Sequence, residues 1–326
     1  MSRPIKNLES LRPMNTDKTL YGSIEIGGTK INCAVAETKV YGNSLPLILF
    51  EKQIKTQDPL ININDILDFF KPHKIQGLGV GSFGPIELNK TSKSYGKITT
   101  TPKIEWRNFD LFNILQKHFN CRVYIDTDVN IAALAESKWG RGKELNSCLY
   151  LTIGTGIGGG IFLDDRLLHG LFHPEMGHII IRKHPEDDFK GVCPHHQDCL
   201  EGLASGFSIE KRFRKKPELL NNKERVFMEK IISYYLAQAI TNYILTLCPK
   251  IIILGGGVMT LKGIGNNRIN NFNILKKIQL NVKNMLNNYI NKNELNENID
   301  KYIVFPGLEQ QSGIFGGFAL CMSEKN

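Results

Sequence analysis

The sequence predicts an α/β protein in which sheets are covered by helices. Strands alternate with helices along most of the chain, which is the pattern of this fold class. In addition, residues 22–36 and 149–163 repeat one arrangement of strand, glycine turn and strand. This repeat predicts a duplicated fold with one phosphate-binding turn in each half. We expect the active site in the cleft between the halves, near the carboxyl ends of strands.

The first strands follow an irregular beginning. Residues 1–19 are polar, contain two prolines and have no hydrophobic period, so we expect a flexible N-terminal arm. Residues 21–38 then predict a hairpin, because apolar residues alternate on both sides of the Gly27–Gly28 turn.

The next elements lead to a pair of carboxylates. A buried strand at 75–80 runs into a glycine-rich loop, and residues 107–120 are typical of a helix. The apolar strand at 121–128 ends in two aspartates. A helix follows, which we expect Asp128 to cap and Gly140 to end.

The second half contains the longest predicted helix. Its apolar residues recur with helical spacing over 222–248, and Pro249 ends it. Residues 266–298 include 13 asparagines, and we interpret them as a helical surface of biased composition. Shorter apolar runs predict a strand at 250–258 that leads into three glycines, a strand at 302–308 and a last helix at 312–322.

Length predicts the number of domains, and charge limits the partners that we expect. The 326 residues suit two domains, each able to bury its own core. The net charge is +9, yet the lysines are scattered and the richest basic cluster, residues 211–216, is short and isolated. We therefore expect no nucleic-acid partner.

Cysteine usage and hydropathy indicate a cytoplasmic protein. Five of the seven cysteines lie in or beside apolar runs, which suits small core residues in a reducing compartment. The beginning of the sequence has no apolar core of a secretory signal, and no run of 18 apolar residues occurs. We expect no contact with a membrane.

Three glycine-rich turns are candidates for binding a nucleotide. Glycine approaches phosphate closely and lets successive amides point in one direction. None of the turns is a Walker A loop, and GTGIGG, which has the spacing of a dinucleotide motif, leads into a strand and not into a helix. Because each follows an apolar strand, together they predict a phosphate site made of Gly27, Gly28, Thr29, Lys30, Thr155, Gly156, Gly158, Gly159, Gly255, Gly256 and Gly257.

Two thiols and two imidazoles in one segment predict a zinc site. His178, Cys193, His196 and Cys199 supply four ligands and leave no open position, which is typical of structural zinc. His195 is an alternative ligand, but His196 keeps the tighter spacing. Six of the eight histidines fall between residues 169 and 196. Such a metal would hold Glu175 and Glu201 near the cleft, where carboxylates accept hydrogen bonds from sugar hydroxyls.

Two aspartates are candidates for the general base. Phosphoryl transfer to an alcohol needs alignment, charge neutralisation by Mg²⁺, and a carboxylate that accepts the hydroxyl proton. Asp126 and Asp128 both lie at a strand-to-helix junction, and Asp128 directly precedes the helix with Asn130 beside it. From spacing alone, a capping role and a catalytic role for Asp128 are equally supported.

Taken in order, these motifs resemble the ROK family of sugar kinases, which has the hexokinase/actin-like (ribonuclease H-like) ATPase fold. The resemblance runs from about residue 20 to 320. It rests on EIGGTK, GVGSFGPI, DTDVN, the long segment from Ile153 to His178, the zinc loop and LGGGV. The EIGGTK start and the spacing C-P-x-H-x-x-C are most similar to the fructokinase branch.

The resemblance implies a reaction and a domain organisation. The reaction is ATP-dependent phosphorylation of D-fructose at its 6-hydroxyl, and the assembly is a homodimer. Residues 20–128 would form a smaller domain, to which a C-terminal helix at about 312–323 returns. Residues 129–311 would form a larger domain that carries the zinc loop.

The resemblance also implies roles for individual residues. Asp128 falls on the catalytic base, and the three glycine turns fall on the phosphates and near the adenosine. Mg²⁺ would accompany the ATP. The positions that fall on sugar contacts are Gly84, Asn130, Glu175, His178 and Glu201.

Two departures and two alternatives accompany this prediction. Thr127 stands where many members have Asn, and Glu25 where many have Asp, which leaves the handling of Mg²⁺ open. A kinase for mannose, glucose or an N-acetylhexosamine is one alternative. A sugar-responsive repressor is the other, and we expect it less because only about 20 irregular residues precede the first strand.

Overall fold

Two five-stranded sheets with the same strand order form the framework of the protein. The computed structural model describes residues 19–38, 44–262 and 268–323. The first sheet has the order β3-β2-β1-β4-β5, and the second has the order β8-β7-β6-β9-β12. The strands of the first sheet are β1 (Thr19–Ile26), β2 (Lys30–Thr38), β3 (Leu47–Lys55), β4 (Gly77–Ser82) and β5 (Arg122–Thr127). The strands of the second are β6 (Ser147–Ile153), β7 (Ile157–Leu163), β8 (Arg166–Leu167), β9 (Ile252–Gly255) and β12 (Ile303–Val304).

Strand directions match between the sheets as well. In each sheet the first three strands in chain order are antiparallel, and the remaining two run parallel to the first of them. A separate small ribbon pairs β10 (Thr260–Lys262) with β11 (Arg268–Asn270). The predicted α/β class and the duplication are therefore confirmed.

The helices lie between the strands along the chain and after the last strand. They are α1 (Pro59–Phe70), α2 (Leu111–His118), α3 (Asp128–Trp139), α4 (Leu200–Ala204), α5 (Gly206–Phe213), α6 (Asn222–Leu247), α7 (Phe272–Leu286), α8 (Asn293–Asn296), α9 (Ile299–Tyr302) and α10 (Ser312–Ser323). Within the described residues, no helix is long and apolar enough to cross a membrane.

Helix α3 lies between the two sheets and contacts both. Ala132 and Ala133 pack with Tyr150 of the second sheet, whereas Ala135 packs with α10 and with strands of the first sheet. On α10, Phe318 is fully buried in that same cluster. The C-terminal helix thus packs against the first sheet.

A buried carboxylate fixes the chain that enters α10. Glu136 of α3 has no exposed surface. Its two oxygens accept hydrogen bonds from the amides of Arg141, Gly307 and Leu308 and from the Ser312 hydroxyl, at 2.8–3.0 Å. These bonds supply the partners that a buried carboxylate requires.

Several expected boundaries change. Thr127, and not Asp128, caps α3: its hydroxyl accepts a hydrogen bond from the Asn130 amide at 3.1 Å, and Asp128 is the first helical residue. The helix expected at 107–120 is shorter, because Asp110 caps it at its start. Most of the asparagine-rich segment is helical, through α7 and α8, and α9 begins directly after it. The expected arm lies outside the described residues up to residue 18, and residue 19 already belongs to β1.

Candidate active site

Asp128 stands at the junction of β5 and α3 with one carboxylate oxygen uncommitted. Its Oδ1 accepts a hydrogen bond from the Val129 amide at 2.9 Å. No group of the described residues donates to its Oδ2. Because Thr127 provides the helix cap, the capping role that competed with catalysis for Asp128 is removed.

The neighbouring carboxylate, Asp126, is fully engaged. Its Oδ1 accepts hydrogen bonds from the Thr127 amide and the Asn130 side-chain amide, both at 2.7 Å. Its Oδ2 lies 2.9 Å from His169 Nε2, and this hydrogen bond raises the pKa of His169. Asp126 is therefore a structural partner of two side chains, and Asp128 is the better candidate for the base.

Burial, and after it the negative charge of Glu25, raise the pKa of Asp128 to about 7. Glu25 lies on β1, where Asn32 of β2 donates a hydrogen bond to it at 2.7 Å. Burial also raises the pKa of Glu25. A carboxylate whose pKa lies near neutrality is well matched to accept a proton from an alcohol.

The first two glycine turns meet each other. The turn from Gly27 to Lys30 joins β1 to β2, and Thr56 holds it by a 2.7 Å hydrogen bond to the Gly27 carbonyl. Across from it, Thr155 lies on the turn that joins β6 to β7. The hydroxyls of Thr29 and Thr155 are 3.2 Å apart although 126 positions separate them in the chain. The duplicated turns thus form one place where phosphate could bind.

The third turn lies at the same edge of the second sheet. Gly255 ends β9, whose register pairs it with Thr152 of β6. Gly256 has φ +92°, and a Cβ there would come within 2.5 Å of the Ile153 backbone. Only glycine fits this position, because positive φ and close approach both exclude a side chain. Gly257 begins the short 3₁₀ helix Gly257–Met259.

Gly158 and Gly159, two of the expected phosphate residues, lie inside β7 and not in the turn. A Cβ on Gly158 would come within 3.0 Å of Val129 on α3, and one on Gly159 would crowd Met176. Their missing side chains allow close packing, so Thr155 and Gly156 remain the candidates in this turn.

Two further carboxylates, Glu175 and Glu201, belong to the candidate site. Burial, together with the negative charges of Glu201 and Asp128, raises the pKa of Glu175 to about 7. Glu201 Oε2 accepts a hydrogen bond from the Ile157 amide at 2.8 Å. Glu201 thereby connects α4 to the second phosphate turn, as a residue placed at the cleft should.

Four side chains converge as a metal site would require. The ligand atoms of His178, Cys193, His196 and Cys199 all lie within 4.8 Å of one another. His178 Nδ1 is 3.7 Å from Cys193 Sγ and 3.6 Å from Cys199 Sγ. These separations suit ligands around one tetrahedral ion. His195 is not among the four.

His178 can serve the metal and the cleft together. Its Nδ1 faces the two thiols, and its Nε2 lies 3.9 Å from Glu201 Oε1. Ligation through Nδ1 would leave the proton on Nε2, which then points toward Glu201. The expected double role of His178 is consistent with this arrangement.

Asn130, one of the expected sugar contacts, is buried beside Asp126. The side chain has no exposed surface. Its amide nitrogen donates to Asp126 and lies 3.3 Å from His169 Nε2, while its Oδ1 has no hydrogen-bond partner. Asn130, on the first turn of α3, therefore supports Asp126 through this hydrogen bond.

One histidine that bridges the two halves was not predicted from the sequence. His173 is buried, and its Nε2 accepts a hydrogen bond from the Ile86 amide at 3.1 Å. A Cβ on Gly84, in the cis Gly84–Pro85 peptide, would come within 3.0 Å of the same ring. The ring thus places Gly84 beside the segment that carries Glu175. The concentration of histidines was the available signal, but the sequence analysis attributes it to metal alone.

The arrangement of sheets and turns agrees with comparisons to known proteins. A model of the ROK family matches residues 21–324. The chain belongs to the ROK family. The "Putative fructokinase" of Bacillus subtilis is 44% identical over 301 residues, covering 92% of this chain and 95% of that protein. The "Fructokinase" of Zymomonas mobilis is 39% identical over 323 residues, covering 96% and 100%.

Solved ROK structures share the fold. The ROK family glucokinase from Streptomyces griseus, in complex with glucose and AMPPNP, superimposes with a TM-score of 0.68 at 22% identity, covering 95% of this chain and 100% of that one. The ROK hexokinase from Thermus thermophilus gives a TM-score of 0.68 at 20% identity, covering 94% and 99%. The actin-like ATPase fold is therefore established for this ROK chain.

Proposed function

We propose that this chain is an ATP-dependent fructokinase. It transfers the γ-phosphoryl group of ATP to the 6-hydroxyl of D-fructose and gives D-fructose 6-phosphate and ADP. The observation that carries the proposal is Asp128, a carboxylate with a raised pKa and a free oxygen, whose charge interacts with Glu25 next to the first glycine turn and with Glu175, an expected sugar contact. The relatives named fructokinase, similar over nearly the whole chain, support the choice of sugar.

The reaction assigns one task to each part of the site. Asp128 accepts the proton of the 6-hydroxyl while the sugar oxygen forms a bond to the γ-phosphorus. The bond between the γ-phosphorus and the bridging oxygen breaks, and ADP leaves. The turns at Gly27–Lys30 and Gly154–Gly156 hold the phosphates through backbone amides, and Gly255–Gly257 lies toward the adenosine. Mg²⁺ bound with ATP supplies charge neutralisation.

The sugar would lie against the second half of the site. Glu175, Glu201 and the Nε2 side of His178 offer acceptors and a donor for hydroxyl groups. Gly84 would approach the sugar from the first half, where the absence of a side chain leaves room beside His173. Asn130 contributes by holding Asp126 in place.

Zinc suits the four-residue cluster. Two thiolates and two imidazoles are the donor set of structural zinc, and they leave no position open for chemistry. The metal would fix the loop between His178 and Cys199 and thereby the positions of Glu175 and Glu201.

Three features of the whole protein belong to the same proposal. Residues 20–128 with α10 form a smaller domain, and residues 129–311 form a larger one. The enzyme is a homodimer. It acts in the cytoplasm, which agrees with the free cysteines of the described residues.

Another hexose is the principal alternative. Specificity among mannose, glucose and fructose depends on a few hydrogen bonds, which one substitution can alter. A sugar-responsive repressor is the weaker alternative, because a binding protein has no use for a general base with a raised pKa.

A coupled assay of ADP release tests the proposal. The purified protein is given ATP and Mg²⁺ with each of a panel of hexoses. We expect kcat/KM for fructose to exceed that for every other sugar by at least about tenfold. A higher kcat/KM for glucose or an N-acetylhexosamine would show that the enzyme is a kinase for that sugar. No activity with any hexose would favour the repressor.

A further inference from the structure

We propose that Lys103 is the side chain that neutralises the γ-phosphoryl group at the first glycine turn. This inference rests on the proposed function and adds a residue to that site. None of the motifs that define the resemblance includes Lys103. It comes from the geometry of the segment between Thr99 and Trp106.

The lysine reaches the turn across the first half of the protein. Its Cε lies 3.6 Å from the position that a Cβ on Gly28 would occupy. The side chain therefore lies over the glycine backbone, and its ammonium group, one bond farther on, stands at the phosphate turn. An added side chain at residue 28 would compete for that space.

The backbone that carries Lys103 is firmly held. Trp106 is fully buried, and its indole nitrogen donates a hydrogen bond to the Gln57 carbonyl at 2.7 Å. Arg107 donates to the Thr101 carbonyl at 2.8 Å, and the Thr101 hydroxyl accepts from the Lys103 amide at 3.3 Å. A lysine on such a support loses little further freedom when it binds an anion.

The charge of Lys103 has no protein partner. Among the described residues no carboxylate forms an ion pair with it, although it is half-buried. Lys30, the lysine of the turn itself, lies close enough to Glu25 for its charge to oppose the rise that burial causes in the pKa of that carboxyl. Likewise, no described acceptor takes the amide hydrogens of Gly28 and Thr29. An unpaired cation beside unused amides is the arrangement that binds a phosphoryl group.

In the reaction, Lys103 contacts the group that is transferred. The oxygen of the sugar bonds to the γ-phosphorus, the bond to the bridging oxygen breaks, and Asp128 takes the proton. The ammonium remains protonated throughout and stabilises the negative charge on the phosphoryl oxygens. Removing one such fixed group costs about 100-fold to 1000-fold in turnover.

The test compares Lys103→Met with Lys103→Arg and with a matched control, Lys74→Met, which removes an exposed lysine of the same half. Met keeps the length of the side chain without its charge. We expect Lys103→Met to lower kcat about 100-fold or more, with the KM for the sugar changed less than about threefold. Arg should restore much of the loss, and Lys74→Met should match the unsubstituted protein.

Nucleotide binding separates this inference from the choice of sugar. We expect Lys103→Met to weaken a non-hydrolysable ATP analogue at least about tenfold and to leave ADP affinity unchanged. If no hexose is phosphorylated but this difference is found, the proposed function fails and the role of Lys103 stands. A folded Lys103→Met variant that keeps more than a third of the turnover, or equal loss of analogue and ADP binding, would overturn the inference.

Discussion

Asp126 and Asp128 carry the same functional group two positions apart, and their surroundings separate their roles. Asp126 is held by His169, Asn130 and a backbone amide, whereas Asp128 keeps one oxygen free. The sequence predicts both aspartates at the right junction and favours Asp128, which directly precedes the helix. The structure adds what surrounds each carboxylate: His169 reaches Asp126 from 43 positions away, and Thr127 takes over the helix cap.

The raised pKa of Asp128 makes turnover depend on pH near neutrality. The base must be ionised, so kcat/KM should be lost as pH falls through about 7 and should be constant above it. Glu25→Gln removes a neighbouring negative charge and should lower the pKa of Asp128. The acidic limb of the pH profile, where kcat/KM falls, should therefore move to lower pH. The measurement is kcat/KM against pH for the unsubstituted protein, Glu25→Gln and the exposed control Glu105→Gln.

Either of two results would contradict this reading of the electrostatics. A limb near the ordinary pKa of an aspartate, about 4, would mean that Asp128 is not buried as the structure has it. An unchanged limb in Glu25→Gln would mean that the two carboxylates do not interact.

At the scale of elements, the metal loop was predictable because its ligands are close in sequence. Three of the four lie within seven residues, from Cys193 to Cys199, and the structure brings His178 to them. The interior glycines of β7 were not predictable in the same way. A glycine that binds phosphate and a glycine that makes room for Val129 look alike in sequence. Only the close packing of α3 against β7 distinguishes them.

One helix was missed although its signals are present. The sequence analysis makes no prediction for α1, yet Asp58 caps it and Pro59 is its first residue. Strand β3 is a harder case, because most of its residues are exposed and its pattern does not alternate. The long α6 is the opposite case, since its helical period and capping box made it predictable to within a residue or two.

Cys193→Ser should remove metal and stability together. The metal would hold the four ligands of the loop together, so its binding free energy would contribute to folding. We expect elemental analysis to find about one zinc per chain in the unsubstituted protein and little in the variant, with a lower Tm. Cys248→Ser changes an exposed cysteine outside the cluster and should keep the zinc. Zinc-free purified protein with an unchanged Tm would contradict the site.

At the scale of the whole molecule, the duplication brings distant residues together. The order of strands is the same in both sheets, so equivalent turns lie at equivalent edges of the two sheets. The repeat in the sequence predicts this duplication. It does not predict that Thr29 and Thr155 meet, because that distance depends on how α3 and α10 pack between the sheets.

The central claim is that this packing places Asp128 opposite the transferred phosphoryl group as the base. Its most direct test is the turnover of Asp128→Asn with ATP and the best hexose, together with a thermal unfolding curve. We expect kcat to fall by about 1000-fold or more while the variant remains folded. A folded variant that keeps more than about a tenth of the turnover would place the base elsewhere and contradict the account.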